Sequence, residues 1–211
     1  MSLTNLLRRE FKYRYFNATL ILIGVNVLVF ALNALLPVSR VILALIPDLV
    51  VNQHWLWQPF SYMFVHANFQ HLLFNMLGLF FFGTVVERKI GSNEFLLFYL
   101  LTGFLAGLFS LFAFLLMGMG GVPLVGASGA IYAVLFAFAV ISPRAMIYIW
   151  GIIPVRAPIL VLAFTALAIG SQVLGFGGNV AHLTHLAGFG FAALYFPIRH
   201  NVNPFRRLLI R

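Results

Sequence analysis

The longest stretch without a charged residue runs from Phe95 to Pro143 and reads FLLFYLLTGFLAGLFSLFAFLLMGMGGVPLVGASGAIYAVLFAFAVISP. As one helix, its 49 residues would extend about 73 Å, whereas about 20 residues cross the hydrocarbon core of a bilayer. The chain must therefore turn back within this stretch, and the segment GMGGVP at 118–123 supplies the break. The stretch alone predicts two membrane-spanning helices.

The whole composition agrees with a membrane protein. Of 211 residues, 63% are hydrophobic and only 8% are charged, against roughly a quarter charged in ordinary soluble domains. This excludes a water-soluble enzyme and a disordered chain, and the absence of cysteine excludes a disulfide-stapled secreted module. We therefore predict an all-α polytopic membrane protein, folded as a single integral-membrane domain over residues 1–211.

The other uncharged stretches predict the remaining helices. The stretch 157–198 is too long for one crossing and breaks at the glycines near 175–179, whereas 49–86 begins with polar and aromatic residues suited to an interface. The short apolar segment 145–155 is predicted to be an interfacial connection. The sequence thus predicts six transmembrane helices, at about 17–37, 67–87, 95–117, 125–142, 157–174 and 181–198.

The basic residues predict the orientation of these helices. Twelve of the thirteen Lys and Arg residues lie on one side of the predicted spans, and only Arg40 lies on the other. The positive-inside rule makes the crowded side cytoplasmic and places both termini there. The net charge of +9 then indicates contact with anionic lipid of the bilayer rather than with nucleic acid.

Polar side chains within the predicted spans are the candidate functional residues, because burying them unpaired is costly. Ser128, His182, His185 and the pair His71 and Asn75 lie on three helices that run in the same direction. Each falls no more than about 12 Å along the axis from the outer end of its helix. The sequence therefore predicts a cluster at one depth, near the outer face.

These residue types suggest a hydrolase. A serine becomes a nucleophile when a base such as neutral imidazole takes its proton, and the small residues around Ser128 and around Gly188 would allow two helices to approach closely. The acidic residues lie outside the spans or at their cytoplasmic ends, too far to complete a triad, so Ser128 and His185 would act as a dyad. His71, Asn75 and the Ser128 backbone N–H could stabilise an oxyanion.

Three other interpretations remain open from the residues alone. Ser128 with its glycines could simply be a helix-packing motif. His71, His182 and His185 could ligate haem or a metal, although the chain has no His-Glu-x-x-His motif and no intramembrane carboxylate. A transporter or channel would predict helices broken near the bilayer midplane, whereas these glycine breaks fall in loops.

Three motifs resemble those of the rhomboid intramembrane serine proteases. HANFQHLLFNM at 66–76, followed by Gly83, Glu87, Arg88 and Gly91-Ser92, is similar to their second-helix signature. Gly126-Ala127-Ser128-Gly129 resembles the nucleophile motif, and His185-Leu186-Ala187-Gly188 resembles the helix that carries the histidine. Trp57-Gln58 departs from the Trp-Arg pair that relatives often carry. The resemblance covers roughly Trp55 to Tyr195 and leaves out the first helix and the tails.

The resemblance implies a role for each matching residue. Ser128 would be the nucleophile and His185 the general base; His71, Asn75 and the Ser128 backbone would form the oxyanion hole. Tyr132 would stack on His185, and Gly126, Gly129 and Gly188 would support the site. The family implies single-span or polytopic membrane proteins as substrates and no cofactor or metal, with a non-catalytic rhomboid-like binder as a further alternative. We expect a bacterial plasma (inner) membrane location, and neither the oligomeric state nor the substrate follows from the sequence.

Overall fold

The computed structural model describes residues 8–9, 11–149, 151–174 and 179–208. Within these ranges the chain is mostly helical, and the predicted glycine break at 175–178 lies outside them. The helices are α1 Ala18–Leu35, α2 Val38–Leu43, α3 Pro47–Asn52, α4 Gln58–Ser61, α5 Phe69–Gly78, α6 Thr84–Ile90, α7 Ser92–Leu116, α8 Ser128–Ile141, α9 Ala157–Leu174, α10 Asn179–His200 and α11 Pro204–Leu208.

Three helical segments are long and apolar enough to cross a membrane. They are Ala18–Leu35, Phe69–Ile90 and Ser92–Leu116, while Ser128–Ile141 and Ala157–Leu167 are shorter apolar helices. The chain is therefore an integral membrane protein. The crossing of the bilayer by all six predicted helices, with both termini in the cytoplasm, stays a prediction.

Helix α8 lies at the centre of the bundle. Eleven of its residues between Gly129 and Val140 are buried, including all from Ala133 to Val140, and α7, α9 and α10 pack around them. The small residues predicted to bring helices together do so, because a Cβ on Gly188 of α10 would overlap the Gly129 carbonyl oxygen of α8. The two backbones thus meet where Ser128 and His185 lie.

One helix contains a wide turn. Between α5 and α6, residues Leu79–Gly83 form a π-helical segment, so the predicted helix 67–87 is not a uniform α-helix. Such segments add a residue to one turn and often lie near functional sites. Here the segment begins one turn after Asn75, and its Phe82 contacts Phe138 of α8 with 5.2 Å between ring centroids.

Two charged residues shift the predicted helix boundaries. One predicted span ends near residue 87 and the next begins near residue 95, but in the structure α6 continues to Ile90 and α7 begins at Ser92. Glu87 and Glu94 are both buried and partnered, so neither needs water. Glu87 accepts hydrogen bonds from the backbone N–H groups of Ala18 and Thr19, at 2.6 and 2.9 Å, and so caps α1.

The connection between α8 and α9 corrects the all-helical prediction. Met146–Ile149 (β1) and Ile153–Arg156 (β2) form an antiparallel hairpin within the segment 145–155 that was predicted to be an interfacial connection. The pattern MIYI and IPVR is rich in β-branched and aromatic residues around Gly151, whose φ of 72° suits a tight turn. Because the segment is short, this strand pattern was not recognised in the sequence.

The bundle has one end where basic residues gather, and we call it the basic end. The direction of the chain places five arginines at this end: Arg14 before α1, Arg88 near the end of α6, Arg144 before β1, Arg156 at the end of β2, and Arg199 near the end of α10. Contacts support this grouping, since Tyr13 donates to the Arg88 carbonyl at 3.0 Å and Ser92 donates its N–H to the Arg14 carbonyl at 2.7 Å. The opposite end holds the starts of α5, α8 and α10.

Candidate active site

The starts of three parallel helices bring the predicted site residues together. Ser128 is the first residue of α8, His71 lies in the first turn of α5, and His185 lies in the second turn of α10. The Oγ atom of Ser128 lies 2.8 Å from Nε2 of His185, a hydrogen-bond distance. A serine and a base that are 57 residues apart in sequence thus contact each other inside the bundle.

The imidazole of His185 is held by stacking. Its ring lies parallel to that of Tyr132, with 4.1 Å between centroids and 9° between planes. In the described part of the chain, its Nδ1 has no hydrogen-bond partner. Packing on Tyr132, rather than a carboxylate, therefore fixes the orientation of this histidine.

Gly126 is required by the backbone and by space. Its φ is 118°, a conformation that residues with a side chain rarely adopt. A Cβ here would also lie 2.7 Å from Cε1 and 2.8 Å from Nε2 of His71. The His71 ring therefore lies directly against the loop that precedes Ser128, with Nε2 towards it.

Asn75 lines the same site, and one of its amide hydrogens is already used in a hydrogen bond. Its Nδ2 donates to the His71 carbonyl oxygen at 2.7 Å, one helical turn back. An amide nitrogen carries two hydrogens, so one remains for a further acceptor. His71 is itself placed by Asn68, whose Oδ1 accepts the His71 backbone N–H at 2.8 Å and caps α5.

A cavity of about 370 Å³ opens beside these residues. Ser128, His185, His71 and Asn75 line its polar part. The remainder of the wall is almost entirely apolar, formed by Phe74, Gly78, Phe82, Ile131, Tyr132, Leu135 and Phe164. The polar groups therefore lie at the mouth of an apolar cavity, an arrangement typical of a binding site.

His182 lies one turn from His185 but does not join the contact with Ser128. The two imidazole rings meet edge to face with 6.1 Å between centroids. Among the described residues, no group of three or more His, Asp or Glu side chains is arranged to hold a metal ion. The geometry does not favour the haem or metal interpretation of His71, His182 and His185.

His66 lies beside the site, to which the sequence did not assign it. Its side chain is fully buried, and its ring meets the edge of His71 with 5.2 Å between centroids. Burial, and then the neighbouring His71, lower the pKa of His66 to about 4. The five-residue spacing of His66 and His71 was the available signal, because it places one histidine just before the helix and the other in its first turn.

The loop before α5 is tied to the site by residues that sequence reasoning did not assign. The buried Gln58 accepts the Ile46 N–H at 2.9 Å and donates to the Val41 carbonyl at 3.0 Å. Trp57 Nε1 donates to the Ile42 carbonyl at 2.8 Å. A neutral amide thus anchors the loop where relatives often carry arginine.

Tyr62 carries this anchoring into the bundle. Its hydroxyl donates to the Gly103 carbonyl of α7 at 2.8 Å, and its ring occupies the space beside Gly107. Its own carbonyl accepts the Gly126 N–H at 3.0 Å, immediately before Ser128. Burial raises the pKa of the Tyr62 phenol, which therefore stays protonated as a donor.

Comparison with known proteins agrees with this geometry. A family model described as the Rhomboid domain matches residues 53–201, well over half of the chain. The chain belongs to the rhomboid family.

Its relatives come from plants, yeast and bacteria. It is 32% identical over 146 residues to RHOMBOID-like protein 1 of Arabidopsis thaliana, covering 69% of this chain and 35% of the relative. It is 34% identical over 148 residues to rhomboid protease GluP of Bacillus subtilis, covering 69% and 27%. It is 32% identical over 190 residues to Rhomboid protein 1, mitochondrial, of Saccharomyces cerevisiae, covering 88% and 54%. The chain thus spans between about a quarter and a half of the length of these relatives.

Proposed function

We propose that this protein is an intramembrane serine endopeptidase that cleaves membrane-protein segments through a Ser128–His185 dyad. The observation that carries the proposal is the 2.8 Å contact between Ser128 Oγ and His185 Nε2 at the mouth of an apolar cavity. Membership of the rhomboid family supports it, since relatives such as GluP are named as proteases.

In the acylation step, Ser128 Oγ attacks the scissile carbonyl carbon while His185 Nε2 accepts the hydroxyl proton. The tetrahedral intermediate then collapses, the peptide C–N bond breaks, and His185 returns the proton to the departing amine. An ester remains on Ser128. Water attacks this ester with His185 again as the base, which releases the new carboxylate and restores the serine.

The negative charge that develops on the carbonyl oxygen needs donors already in place. Ser128 begins α8, and the first N–H groups of a helix have no intrahelical partner, so its N–H and the helix dipole both favour an anion there. His71 Nε2, against Gly126, and the second amide hydrogen of Asn75 are the further donors. Gly126, Gly129 and Gly188 keep the loop and the two helices close enough for this arrangement.

The shape of the cavity suggests the substrate class. A peptide bond reaches Ser128 only if its backbone is extended, so the substrate must be free of helical hydrogen bonds at the cleavage site. Residues that weaken a transmembrane helix near its end favour this. The apolar wall from Phe74 to Phe164 would hold hydrophobic substrate residues beside the scissile bond.

The same proposal includes the orientation in the membrane. With the basic end in the cytoplasm, Ser128 lies near the outer face, where water can reach the acyl ester. A bacterial plasma membrane remains a prediction, because the relatives include mitochondrial proteins.

The decisive experiment measures cleavage of a panel of single-span substrates in proteoliposomes by wild type and Ser128→Ala. We expect Ser128→Ala to abolish both cleavage and labelling by a fluorophosphonate, because it removes the attacking oxygen. Ser142→Ala is the matched control, since Ser142 follows the other end of the same helix. Cleavage retained by Ser128→Ala would overturn the proposal.

A non-catalytic rhomboid-like binder is distinguished by the same experiment. Such a protein would capture substrates without cleaving them, and neither wild type nor Ser142→Ala would react with the fluorophosphonate. The contact between Ser128 and His185 favours the enzyme over this alternative.

A further inference from the structure

A second, larger cavity lies away from the dyad. It is a groove of about 880 Å³ along the outside of the bundle. Phe109 of α7 forms one wall, Leu183, Leu186, Gly190 and Leu194 of α10 form the floor, and Phe205 of α11 closes one end. We call this the α10 groove.

The α10 groove and the candidate active site lie on different faces of one helix. His185 and Phe189 contact Tyr132 of α8, with ring centroids 4.1 and 5.0 Å from it. Gly190 points the other way, because a Cβ there would meet no atom within 4 Å. The open space above Gly190 is therefore room for an occupant and plays no part in the dyad.

The length and depth of the groove suit a lipid chain. From Leu183 to Pro197 it follows α10 for 14 residues, or about 21 Å. Half of a hydrocarbon core about 30 Å thick is about 15 Å. An acyl chain that enters from the basic end can therefore lie in the groove over the whole depth of its leaflet.

The groove becomes polar only at the basic end, and there two arginines directly follow its last lining residue, Phe205. Asn201 and Asn203 line it there, and Asn203 Oδ1 accepts the Arg206 backbone N–H at 3.1 Å, which fixes the start of α11. The side chains of Arg206 and Arg207 are exposed. Within the described ranges, neither forms a salt bridge with an acidic residue. One end thus has amide groups in its lining and two exposed cations next to it in the chain, and the rest is apolar.

We propose that the α10 groove binds one anionic glycerophospholipid, with an acyl chain along Gly190 and the phosphate at Arg206 and Arg207. The groove matches such a molecule, because it is apolar along its length and has amide groups and two neighbouring arginines at one end. A second copy of this chain fits less well, because a symmetric parallel contact would bring four arginines together. A zwitterionic lipid could fill the groove but would gain less from the two cations.

Binding is tested on the purified full chain in detergent by native mass spectrometry. The probes are phosphatidylglycerol and phosphatidylcholine with identical acyl chains. We expect wild type to retain phosphatidylglycerol preferentially, with each arginine contributing about fivefold. The double variant Arg206→Gln/Arg207→Gln should lose about 25-fold in this preference. Arg9→Gln/Lys12→Gln is its matched control, because both residues are exposed, basic and outside the groove.

The position of the acyl chain is tested by filling the groove. Gly190→Leu should lower binding of both lipids at least tenfold, and Gly190→Ala should lower it less. Gly24→Leu is the matched control, since a Cβ on Gly24 of α1 also meets nothing within 4 Å. Fluorophosphonate labelling and thermal unfolding without added lipid verify that each variant is folded.

Four outcomes would overturn the proposal. Equal retention of the two lipids by wild type would mean that the groove contacts lipid without selecting an anionic head group. Unchanged preference in Arg206→Gln/Arg207→Gln, or unchanged binding in Gly190→Leu, would place the lipid elsewhere. A wild-type dimer that Gly190→Leu converts to a monomer would assign the groove to a second copy.

Discussion

The two ends of the bundle both bury polar side chains, and they pair them differently. At the basic end, Glu94 accepts hydrogen bonds from Nε and Nη2 of Arg199, each at 2.8 Å, and it also contacts Tyr195 and His200. Glu87 likewise accepts three donors. At the opposite end, Ser128 and His185 have each other, and within the described residues Nδ1 of His185 has no partner.

The difference in pairing indicates that one end of the bundle stabilises the fold and that the other end is arranged to react. A buried carboxylate whose two oxygens both accept hydrogen bonds stabilises the helices that it joins. A hydroxyl whose main partner is a neutral imidazole can lose its proton when a substrate arrives. Substitutions at the first end should therefore change stability, and substitutions at the second should change rate.

The largest effect is expected from His185→Gln. Without the base, Ser128 cannot lose its proton, so kcat/KM should fall roughly 10³-fold or more. The midpoint of thermal unfolding should change little, because the lost imidazole has one hydrogen-bond partner to give up. Steady-state cleavage and unfolding in detergent measure the two quantities.

His182→Gln is the matched control for this change. His182 lies on the same helix, one turn away, and its ring contacts His185 only edge to face. We expect less than a threefold change in kcat/KM. An equal loss in both variants would mean that the helix, rather than the base, had been disturbed.

The next effect lies at the basic end, where Glu94→Gln should cost stability and leave chemistry intact. Removing one partner of a buried ion pair takes away the carboxylate that binds Arg199 and costs about 3–5 kcal/mol of the free energy of unfolding. The double variant Glu94→Gln/Arg199→Gln should recover most of this loss, because no buried charge is left. If the single variant instead lost activity per folded molecule, the separation between the two ends would fail.

A third effect comes from the buried His66. Unfolding frees its imidazole to bind a proton at the ordinary pKa near 6.5, whereas the folded protein holds the pKa at about 4. The free energy of unfolding should therefore be highest above pH 6.5, fall by about 3 kcal/mol between pH 6.5 and 4, and stay level below. His71 is the titratable neighbour whose ring faces it.

The difference between wild type and His66→Gln isolates this contribution. Equilibrium unfolding measured across the pH range should show a shallower fall in the variant. His54→Gln controls for loss of an exposed imidazole on the same loop. Parallel pH curves for wild type and His66→Gln would show that His66 titrates alike in both states.

His66 also marks the limit of prediction from the sequence. Uncharged stretches and glycine breaks place helices well, because the bilayer demands about 20 apolar residues and closed backbone hydrogen bonds. Ser128 and His185 were predictable as neighbours because small residues let α8 and α10 touch. The burial of His66 and the anchoring by Gln58 were not, since both depend on how an irregular loop folds back onto the bundle, and no periodicity describes that.

The smallest effect is expected at Thr184. It tests whether the reaction depends on a hydrogen bond that does not involve Ser128 or His185 directly. Thr184 precedes His185, is buried, and its Oγ1 lies 2.7 Å from Oγ of Ser110 on α7. Ser110 also donates to the Ala106 carbonyl of its own helix at 2.8 Å. The threonine hydroxyl thus joins α10 to α7 one residue before the proposed base, and its role is that of a positioning residue.

Thr184→Val removes this hydroxyl at constant shape. We expect about a tenfold loss in kcat with KM little changed, because a small rotation of His185 away from Ser128 affects the reaction more than binding. The stability cost should be about 1 kcal/mol. Thr184→Ser, which keeps the hydroxyl, should restore kcat. Thr102→Val is the matched control, since Thr102 is equally buried but donates only within α7. An unchanged kcat in Thr184→Val would show that the hydrogen bond to Ser110 does not hold His185 in place. If Thr184→Val lost kcat and Thr184→Ser failed to restore it, the methyl group that packs against Gly129 would be needed as well.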